Sequence, residues 1–187
     1  SYLTHVEPDA LNPQIYYEKM LKVSAPWANR FIKMLNGGET VLDMGCSTGH
    51  FMKMIEGKVG KVCGHDLNIK EVKYCREELG LDVSSQPLEE RFKKGTFDFI
   101  TLIFVLENIG NPEAFLRYLK TFLKPKGKIL IVVPSITDPL VSFYKIPEFR
   151  SFYYCIEHLY YYKKKSISLL FDKSGLSGSV ELVQEYP

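Results

Sequence analysis

The sequence lacks several features that would define a class of protein at once. No run of about 18 apolar residues occurs, so we expect no membrane span. The first residues also lack the basic-then-apolar pattern of a signal peptide. The four cysteines form no C-x-x-C pair, which suits a reducing cytoplasm better than a disulfide framework. A net charge of +2 is too small to indicate a nucleic-acid partner. No cluster of His, Cys and Asp has the spacing of a metal site.

Apolar residues make up 45% of the 187 residues, which is enough to build one core. Their order predicts strands that alternate with helices, which is typical of an α/β fold with a doubly wound, mostly parallel sheet. Pro26 interrupts the helical pattern of 13–36, so we expect two helical pieces there. The predicted strands are 39–44, 61–66, 81–84, 97–104 and 127–133, and the predicted helices are 49–57, 69–79, 112–123 and 163–174.

Residues 41–50, VLDMGCSTGH, are the most informative segment. An apolar strand ends in Asp43, two glycines (Gly45 and Gly49) bracket a turn, and helix-forming residues follow. In α/β proteins a strand, a glycine loop and a helix hold nucleotide-like ligands at the helix N-terminus. Glycines at these positions let the backbone approach the ligand, and Ser47 between them costs about 1 kcal/mol if its φ is positive.

The loop departs from two common phosphate-binding patterns. A G-x-G-x-x-G dinucleotide loop needs glycines where Ser47 and His50 stand, and no Gly-Lys-Ser/Thr follows as in a P-loop. The letters GCSTG also fit G-x-S-x-G, the nucleophile elbow of serine hydrolases. Ser47 would then be the nucleophile, with Asp98 and His158 following in the hydrolase order. This alternative lacks upstream strands and an oxyanion loop, because 1–38 has the pattern of helix and loop.

A second acid, Asp66, ends the second predicted strand. In nucleotide-binding α/β folds an acid at this point accepts hydrogen bonds from ribose hydroxyls. A structural alternative is that Asp66 or Asn68 caps the helix that starts near Ile69. Together with the glycine loop upstream, Asp66 favours a ribose contact.

The D-x-G-x-x-x-G loop, Asp66 and the block GTFDFITLIFVLENIGNPEAFLRYLKTFLKPKGKILIVVPS together resemble the class I S-adenosylmethionine-dependent methyltransferases, of the small-molecule, ubiquinone-biosynthesis type. The stretch EHLYYYKKKSISLLFDKSGL is similar to a later part of the same family. The resemblance implies one domain over 1–187, in which we expect the family's final edge strand to be missing after a strand at 178–185. Its parts would be N-terminal helices in 1–38, a cofactor-binding core in 39–133, a substrate lid in 134–162, and a last helix with an edge strand in 163–187.

The resemblance implies S-adenosyl-L-methionine as cofactor, with S-adenosyl-L-homocysteine as product. The expected acceptor is a small molecule, through a hydroxyl of a sugar or a phenol. Ser85 and Gln86 stand where the family commonly has an acid beside the adenine, and Asn108 replaces the histidine of the family's V-L-E-H. The implied cofactor-binding residues are Asp43, Gly45, Cys46, Ser47, Gly49, Asp66, Leu67, Ser85, Gln86, Phe104 and Val105.

A hydroxyl acceptor needs a group that removes its proton, and His158 is the histidine that we nominate as general base. It lies in the aromatic-rich segment 134–162, which we expect to form a lid over the acceptor. Glu107, which precedes Asn108, is a further candidate for contact with ligand or substrate. Two alternatives to the enzyme remain open at this point: the serine hydrolase, and a non-catalytic regulator that binds S-adenosylmethionine. The sequence does not indicate an oligomeric state.

Overall fold

A computed structural model describes residues 12–139, 144, 154 and 158–183 of the chain. The chain divides into two compact units. The first holds the described residues of 1–101 and 122–128, and the second holds those of 102–121 and 129–186. Most of the predicted lid falls outside the described residues, so the domain boundaries drawn from the sequence stay predictions.

Helices and strands alternate along the described chain, as the sequence predicts. None of the described helices combines the length and the hydropathy that crossing a bilayer requires. A 3₁₀ turn, Leu106–Asn108, follows the fourth strand. The helices are α1 (Pro13–Ile32), α2 (His50–Ile55), α3 (Ile69–Glu77), α4 (Leu88–Arg91), α5 (Pro112–Lys120) and α6 (Lys164–Lys173). The strands are β1 (Thr40–Met44), β2 (Lys61–His65), β3 (Val83–Ser84), β4 (Phe97–Ile103) and β5 (Leu123–Val132).

The described strands form one sheet in the order β3-β2-β1-β4-β5. β1 pairs in parallel with β2 and β4, so Asp43 lies between Gly64 and Thr101, and β2 pairs in parallel with β3. Because these strands share one direction, the loops after β1, β2 and β3 meet at the same edge of the sheet, where ligands bind in such folds. The predicted fold class, α/β with a mostly parallel sheet, is confirmed.

The predicted break at Pro26 is wrong, because α1 is one helix of 20 residues with this proline inside it. An internal proline costs a helix about 3 kcal/mol through a lost hydrogen bond and a steric clash. Beyond the proline, the fully buried ring of Phe31 lies 5.7 Å from that of Phe51 and 5.1 Å from that of Phe99 between centroids. This packing holds the last turns of α1 in place.

Two strand boundaries differ from their predictions. β3 is only two residues long, although 81–84 was expected, because the Val83 N–H donates back to the Leu81 carbonyl at 3.0 Å in a tight turn before the strand. β5 starts at Leu123 rather than at 127, so Pro125 lies inside a strand. A proline is tolerated there because β5 lies at an edge of the described sheet, where a missing N–H breaks no ladder.

The strand predicted over 178–185 is not formed in 178–183, and 184–185 lie outside the described residues. Gly175, with a φ of +65°, ends α6 as the sequence predicts. The segment that follows contains glycine and serine, which have low strand propensity, and pairs with none of the described strands.

Gly49 begins α2 beside a buried cluster of apolar side chains. Its φ is +74°, and a Cβ at this position would lie 2.6 Å from Leu81 Cδ1 and 3.0 Å from Cys75 Sγ. Packing therefore requires a glycine at this position as well, while the expected approach of a ligand to Gly49 stays a prediction. The cluster comprises Cys46, Met52, Val72, Cys75, Leu81 and Val83.

Gly49→Ala is expected to lower the free energy of unfolding by about 3 kcal/mol, because the left-handed φ and the crowded Cβ each add a cost. Gly57→Ala is the matched control, since Gly57 has a φ of +72° but open space around its Cβ position. It is expected to lose about 1 kcal/mol. Urea unfolding of both variants measures the difference, and equal losses would contradict the packing role of Gly49.

Candidate functional site

The loop after β1 has a left-handed backbone at three positions. Gly45, Ser47 and Gly49 have φ values of +73°, +47° and +74°. The N–H groups of Gly45 and Cys46 both donate to the carbonyl of His65, at 2.8 and 3.1 Å, which ties the loop to the end of β2. The expected strain at Ser47 is confirmed, and it costs about 1 kcal/mol for a residue with a Cβ.

The carboxylate of Asp66 fastens this loop to the loop after β2. Its Oδ2 accepts a hydrogen bond from the Ser47 N–H at 2.8 Å, and its Oδ1 accepts one from the Asn68 N–H at 2.9 Å. The cap of α3 is Asn68, whose side chain accepts from the Lys70 N–H at 3.1 Å. Each carboxylate oxygen has more than one lone pair, so Asp66 can still accept from ligand hydroxyls.

Tyr16 and Glu71 also lie at this loop, and the sequence analysis missed both. The Ser47 side chain lies near both, and its influence acts to lower their pKa values. Burial raises the pKa of the Tyr16 hydroxyl and of the Glu71 carboxyl, and the negative charge of Asp66 adds to both increases. For Glu71 a signal was present in the sequence, since it lies in the first turn of the helix that follows Asp66.

Asp43 is a buried acid at the end of β1, with 3% of its surface exposed. Thr101 Oγ1 donates to its Oδ1 at 2.6 Å across the β1–β4 pair. Burial raises the pKa of Asp43 to about 7, although the Thr101 hydrogen bond acts in the opposite direction. A cationic ligand group beside this carboxyl would favour its ionised form.

The remaining predicted residues of the first unit lie after β2 and β3. Leu67 and Ile69 present apolar side chains next to Asp66, and these are 80% and 63% exposed. Ser85 is half-buried and Gln86 is exposed, and the Gln86 N–H donates to Ser84 Oγ at 3.0 Å. This edge of the sheet therefore offers apolar surface beside polar groups, an arrangement that suits a nucleoside.

The other predicted site residues belong to the second unit. Phe104 has a φ of +56° and an exposed side chain, and Val105 is half-buried. Glu107 is fully buried, and burial raises the pKa of its carboxyl to about 7. His158 Nε2 lies 3.8 Å from Glu107 Oε1. The histidine nominated as base thus has a buried carboxyl group beside it.

The position of Asp98 rules out the serine hydrolase alternative. Asp98 accepts hydrogen bonds from the Thr40 N–H at 2.9 Å and from Lys124 Nζ at 2.7 Å. Thr40 begins β1, whereas Ser47 follows the end of the same strand. Asp98, the acid that the hydrolase interpretation requires, therefore lies at the opposite end of the parallel strands from Ser47, its nucleophile.

Comparison with known proteins identifies the family. The family described as "Methyltransferase domain" matches residues 16–179, and the chain belongs to it. The predicted resemblance to the class I S-adenosylmethionine-dependent methyltransferases is confirmed at the level of the family. The ubiquinone/menaquinone biosynthesis C-methyltransferase UbiE of Escherichia fergusonii is 31% identical over 166 residues, which is 77% of this chain and 65% of the relative. UbiE of Salmonella paratyphi B gives the same values. The chain thus spans about 65% of the length of these curated relatives.

Solved structures of similar fold agree with this assignment. A SAM dependent methyltransferase from Aquifex aeolicus matches with a TM-score of 0.60 and 25% identity over 88% of each chain. One from Archaeoglobus fulgidus matches with a TM-score of 0.65 and 20% identity, over 83% of this chain and 68% of the other. Both likenesses support the fold described above.

Two buried acids are expected to contribute less to the stability of the protein as pH rises from about 4 to about 7. Buried His50, whose pKa is lowered to about 4, acts in the opposite direction over this range. The pKa values of Asp43 and Glu107 are raised to about 7 in the folded protein. The folded chain therefore holds protons that the unfolded chain has released. Their stabilising contribution is complete below the unfolded pKa values and is lost as pH rises through the folded ones. Each carboxyl contributes a slope of up to about 1.4 kcal/mol per pH unit, which urea unfolding at several pH values measures.

Asp43→Asn is expected to raise the slope of the unfolding free energy against pH by up to about 1.4 kcal/mol per pH unit relative to the wild type, because an amide does not titrate. Asp98→Asn is the control, since hydrogen bonding to Lys124 and to the Thr40 N–H lowers the pKa of Asp98. The stability that Asp98 contributes is lost only as pH falls through its lowered folded pKa, so its removal leaves the slope above about pH 5 unchanged. Equal slopes for the wild type and Asp43→Asn between about pH 5 and about pH 7 would contradict a protonated Asp43.

Proposed function

We propose that the chain binds S-adenosyl-L-methionine at the loop after β1 and transfers its methyl group to a small-molecule acceptor. The observation that carries this proposal is the Asp66 carboxylate, which joins the left-handed loop to the edge of β2 through its hydrogen bond with the Ser47 N–H. Membership of the methyltransferase domain family supports it.

The residues at this edge fit the parts of S-adenosylmethionine. Asp66 faces the loop with lone pairs to spare for two ribose hydroxyls. The buried Asp43 carboxyl, whose pKa is about 7, suits the ammonium of the amino-acid portion. The exposed Leu67 and Ile69 offer apolar contact for the adenine, with Ser85 and Gln86 nearby in the chain for its polar edge.

When bound, the cofactor supplies a methyl group on a positively charged sulfur, which is a strong electrophile. The residues of this chain then have two tasks: to hold the acceptor in line with the S–CH₃ bond, and to remove a proton from it. We assign the proton to His158, because its imidazole lies beside the buried Glu107 carboxyl.

We propose a phenolic acceptor. The curated relatives are named as C-methyltransferases of ubiquinone and menaquinone biosynthesis, whereas a hydroxyl acceptor was expected from the sequence. A phenol unites the two, because loss of its proton makes both its oxygen and its ortho carbon nucleophilic. The base assigned to His158 therefore serves methyl transfer to either atom.

Asp66→Ala is expected to weaken S-adenosylhomocysteine binding by about 10- to 150-fold, as calorimetry measures, because hydrogen bonds to a charged group contribute about 1.5–3 kcal/mol. The same substitution also releases the Ser47 N–H. An analogue of S-adenosylhomocysteine without ribose hydroxyls separates the two effects. Asp66→Ala can weaken the binding of this analogue only through the released loop.

Asp82→Ala is the control for this experiment, because Asp82 is an exposed acid that pairs with Lys61 and Arg91. It is expected to leave binding unchanged. If Asp66→Ala weakens the deoxy analogue as strongly as the natural ligand, the ribose contact is refuted. If the folded wild type does not bind S-adenosylhomocysteine, the proposed function is refuted.

Wild-type protein with labelled S-adenosylmethionine and a panel of phenols and hydroquinones is expected to give a methylated product. Mass spectrometry detects the added methyl group, and NMR of the product distinguishes an O-methyl from a C-methyl. Sugars and amines without a phenol serve as negative acceptors. Tight S-adenosylhomocysteine binding with no transfer to any acceptor would favour the non-catalytic regulator instead.

A further inference from the structure

A polar groove follows the outer edge of the sheet in the first unit, beside β3. It has a volume of about 360 Å³ and lies between the last turn of α3, the strand β3 and the end of α4. Among the described residues that line it, the charged ones are Arg76, Asp82 and Arg91, and Gln86 adds a side-chain amide. A groove of this size can hold a small molecule, and its lining favours a charged one.

The charges at this groove do not cancel. Asp82 is the one acid among the described residues that line it, and its carboxylate is shared. Its Oδ1 accepts a hydrogen bond from Arg91 Nη2, and its Oδ2 lies 3.3 Å from Lys61 Nζ. With Arg76, three positive charges therefore meet one negative charge, while the neighbouring glutamates of α3 and α4 do not line the groove. Such a surface attracts anions.

Arg91 is held in place by the protein itself. Its guanidinium group is bonded to Asp82 and lies 4.8 Å from the centroid of the Phe92 ring, and its side chain is only 19% exposed. Its Nη1, in contrast, is buried and has no hydrogen-bond partner. A buried charged donor without an acceptor is costly, so a negative group in the groove would offset that cost. A guanidinium group that is already fixed also loses little entropy when it binds an oxyanion.

The backbone at this edge does not favour the addition of a further strand. The carbonyls of Asp82 and Ser84 accept hydrogen bonds from the β2 side, at 2.8 and 3.2 Å, so the backbone of Val83 between them faces the open edge. The Val83 N–H, however, turns back to the Leu81 carbonyl at 3.0 Å. An added strand would need this N–H as a donor, so side chains rather than backbone groups select the ligand of the groove.

We propose that this groove binds a phosphoryl group, either as free phosphate or as part of a phosphorylated small molecule, through Arg76 and Arg91. Guanidinium groups match phosphate oxygens with paired N–H donors, and the excess of two positive charges balances a phosphate charge of about −1.5 to −2. The groove differs from the proposed cofactor site, where the acids Asp43 and Asp66 suit a positively charged ligand. It is therefore a second site with the opposite charge preference.

Calorimetry with inorganic phosphate tests this site on the wild-type protein. The dissociation constant is expected to be on the order of 1 mM and to rise with sodium chloride concentration, because salt screens the attraction. Protein saturated with S-adenosylhomocysteine is expected to bind phosphate equally well. Loss of phosphate binding in the saturated protein would place the anion in the cofactor site and would overturn the proposal, while the proposed function would stand.

Arg91→Gln and Arg76→Gln are expected to weaken phosphate binding by about 10-fold and about 3-fold. The smaller effect is assigned to Arg76 because its side chain is exposed and water screens its charge. Since Arg91 also holds Asp82, urea unfolding shows whether Arg91→Gln remains folded. If it does not, Arg76→Gln decides the question, and unchanged phosphate binding in that variant would overturn the proposal.

Lys73→Gln is the matched control, because Lys73 is exposed on α3, lies 3.7 Å from Glu77 in an ion pair, and does not line the groove. It removes one positive charge from the same helix as Arg76 and is expected to leave phosphate binding unchanged. An equal loss in Lys73→Gln and Arg76→Gln would show that net charge attracts the anion, which would overturn the proposal. So would a wild type that binds no phosphate at about 10 mM.

NMR of the histidine rings locates the bound anion. Burial lowers the pKa of His65, and the charge of Arg91 acts in the same direction. Phosphate beside Arg91 offsets this charge and is expected to shift the ring signals of His65 but not those of His50, which does not line the groove. Unshifted His65 signals at saturating phosphate would overturn the proposal. Glucose 6-phosphate separates the two sources: tighter binding than inorganic phosphate supports a phosphorylated small molecule, and equal binding supports free phosphate.

Discussion

The hydrogen bond between the Ser47 N–H and the Asp66 carboxylate is the contact on which the candidate cofactor site depends. It joins the loops after two neighbouring parallel strands, and it holds a serine at a φ of +47°. Tyr16 of α1 and Glu71 of α3 also lie near the Ser47 side chain, so residues of both helices line the same loop. One carboxylate therefore fixes the backbone that would face the ligand and also offers oxygens to it.

Buried acids are the second recurring feature. Asp43 in the first unit and Glu107 in the second each have a pKa of about 7, and burial is the main cause in both. Each is costly to the fold as an anion and becomes favourable when a cation lies beside it. A methyl donor with an ammonium group and a histidine that takes up a proton are two such cations. The same burial that costs stability therefore prepares these side chains for the proposed chemistry.

Local chemistry explains what the sequence could predict. The strand, the glycine loop and Asp66 follow one another at fixed spacing. The sequence between Asp43 and Asn68 therefore sufficed to predict that they meet where the parallel strands end. Tyr16 and Glu107 could not be placed, because their partners come from distant parts of the chain and only packing brings them together. Pro26 was misjudged for the same reason, since the aromatic contacts of Phe31 outweigh the local preference.

Every proposed role of these residues depends on where the methyl donor binds. A crystal structure of the protein with S-adenosylhomocysteine tests this most directly. Both ribose hydroxyls are expected to lie within hydrogen-bond distance of the Asp66 carboxylate, with the amino-acid end against the loop from Gly45 to Gly49. A ligand bound elsewhere, or one whose ribose makes no contact with Asp66, would contradict it.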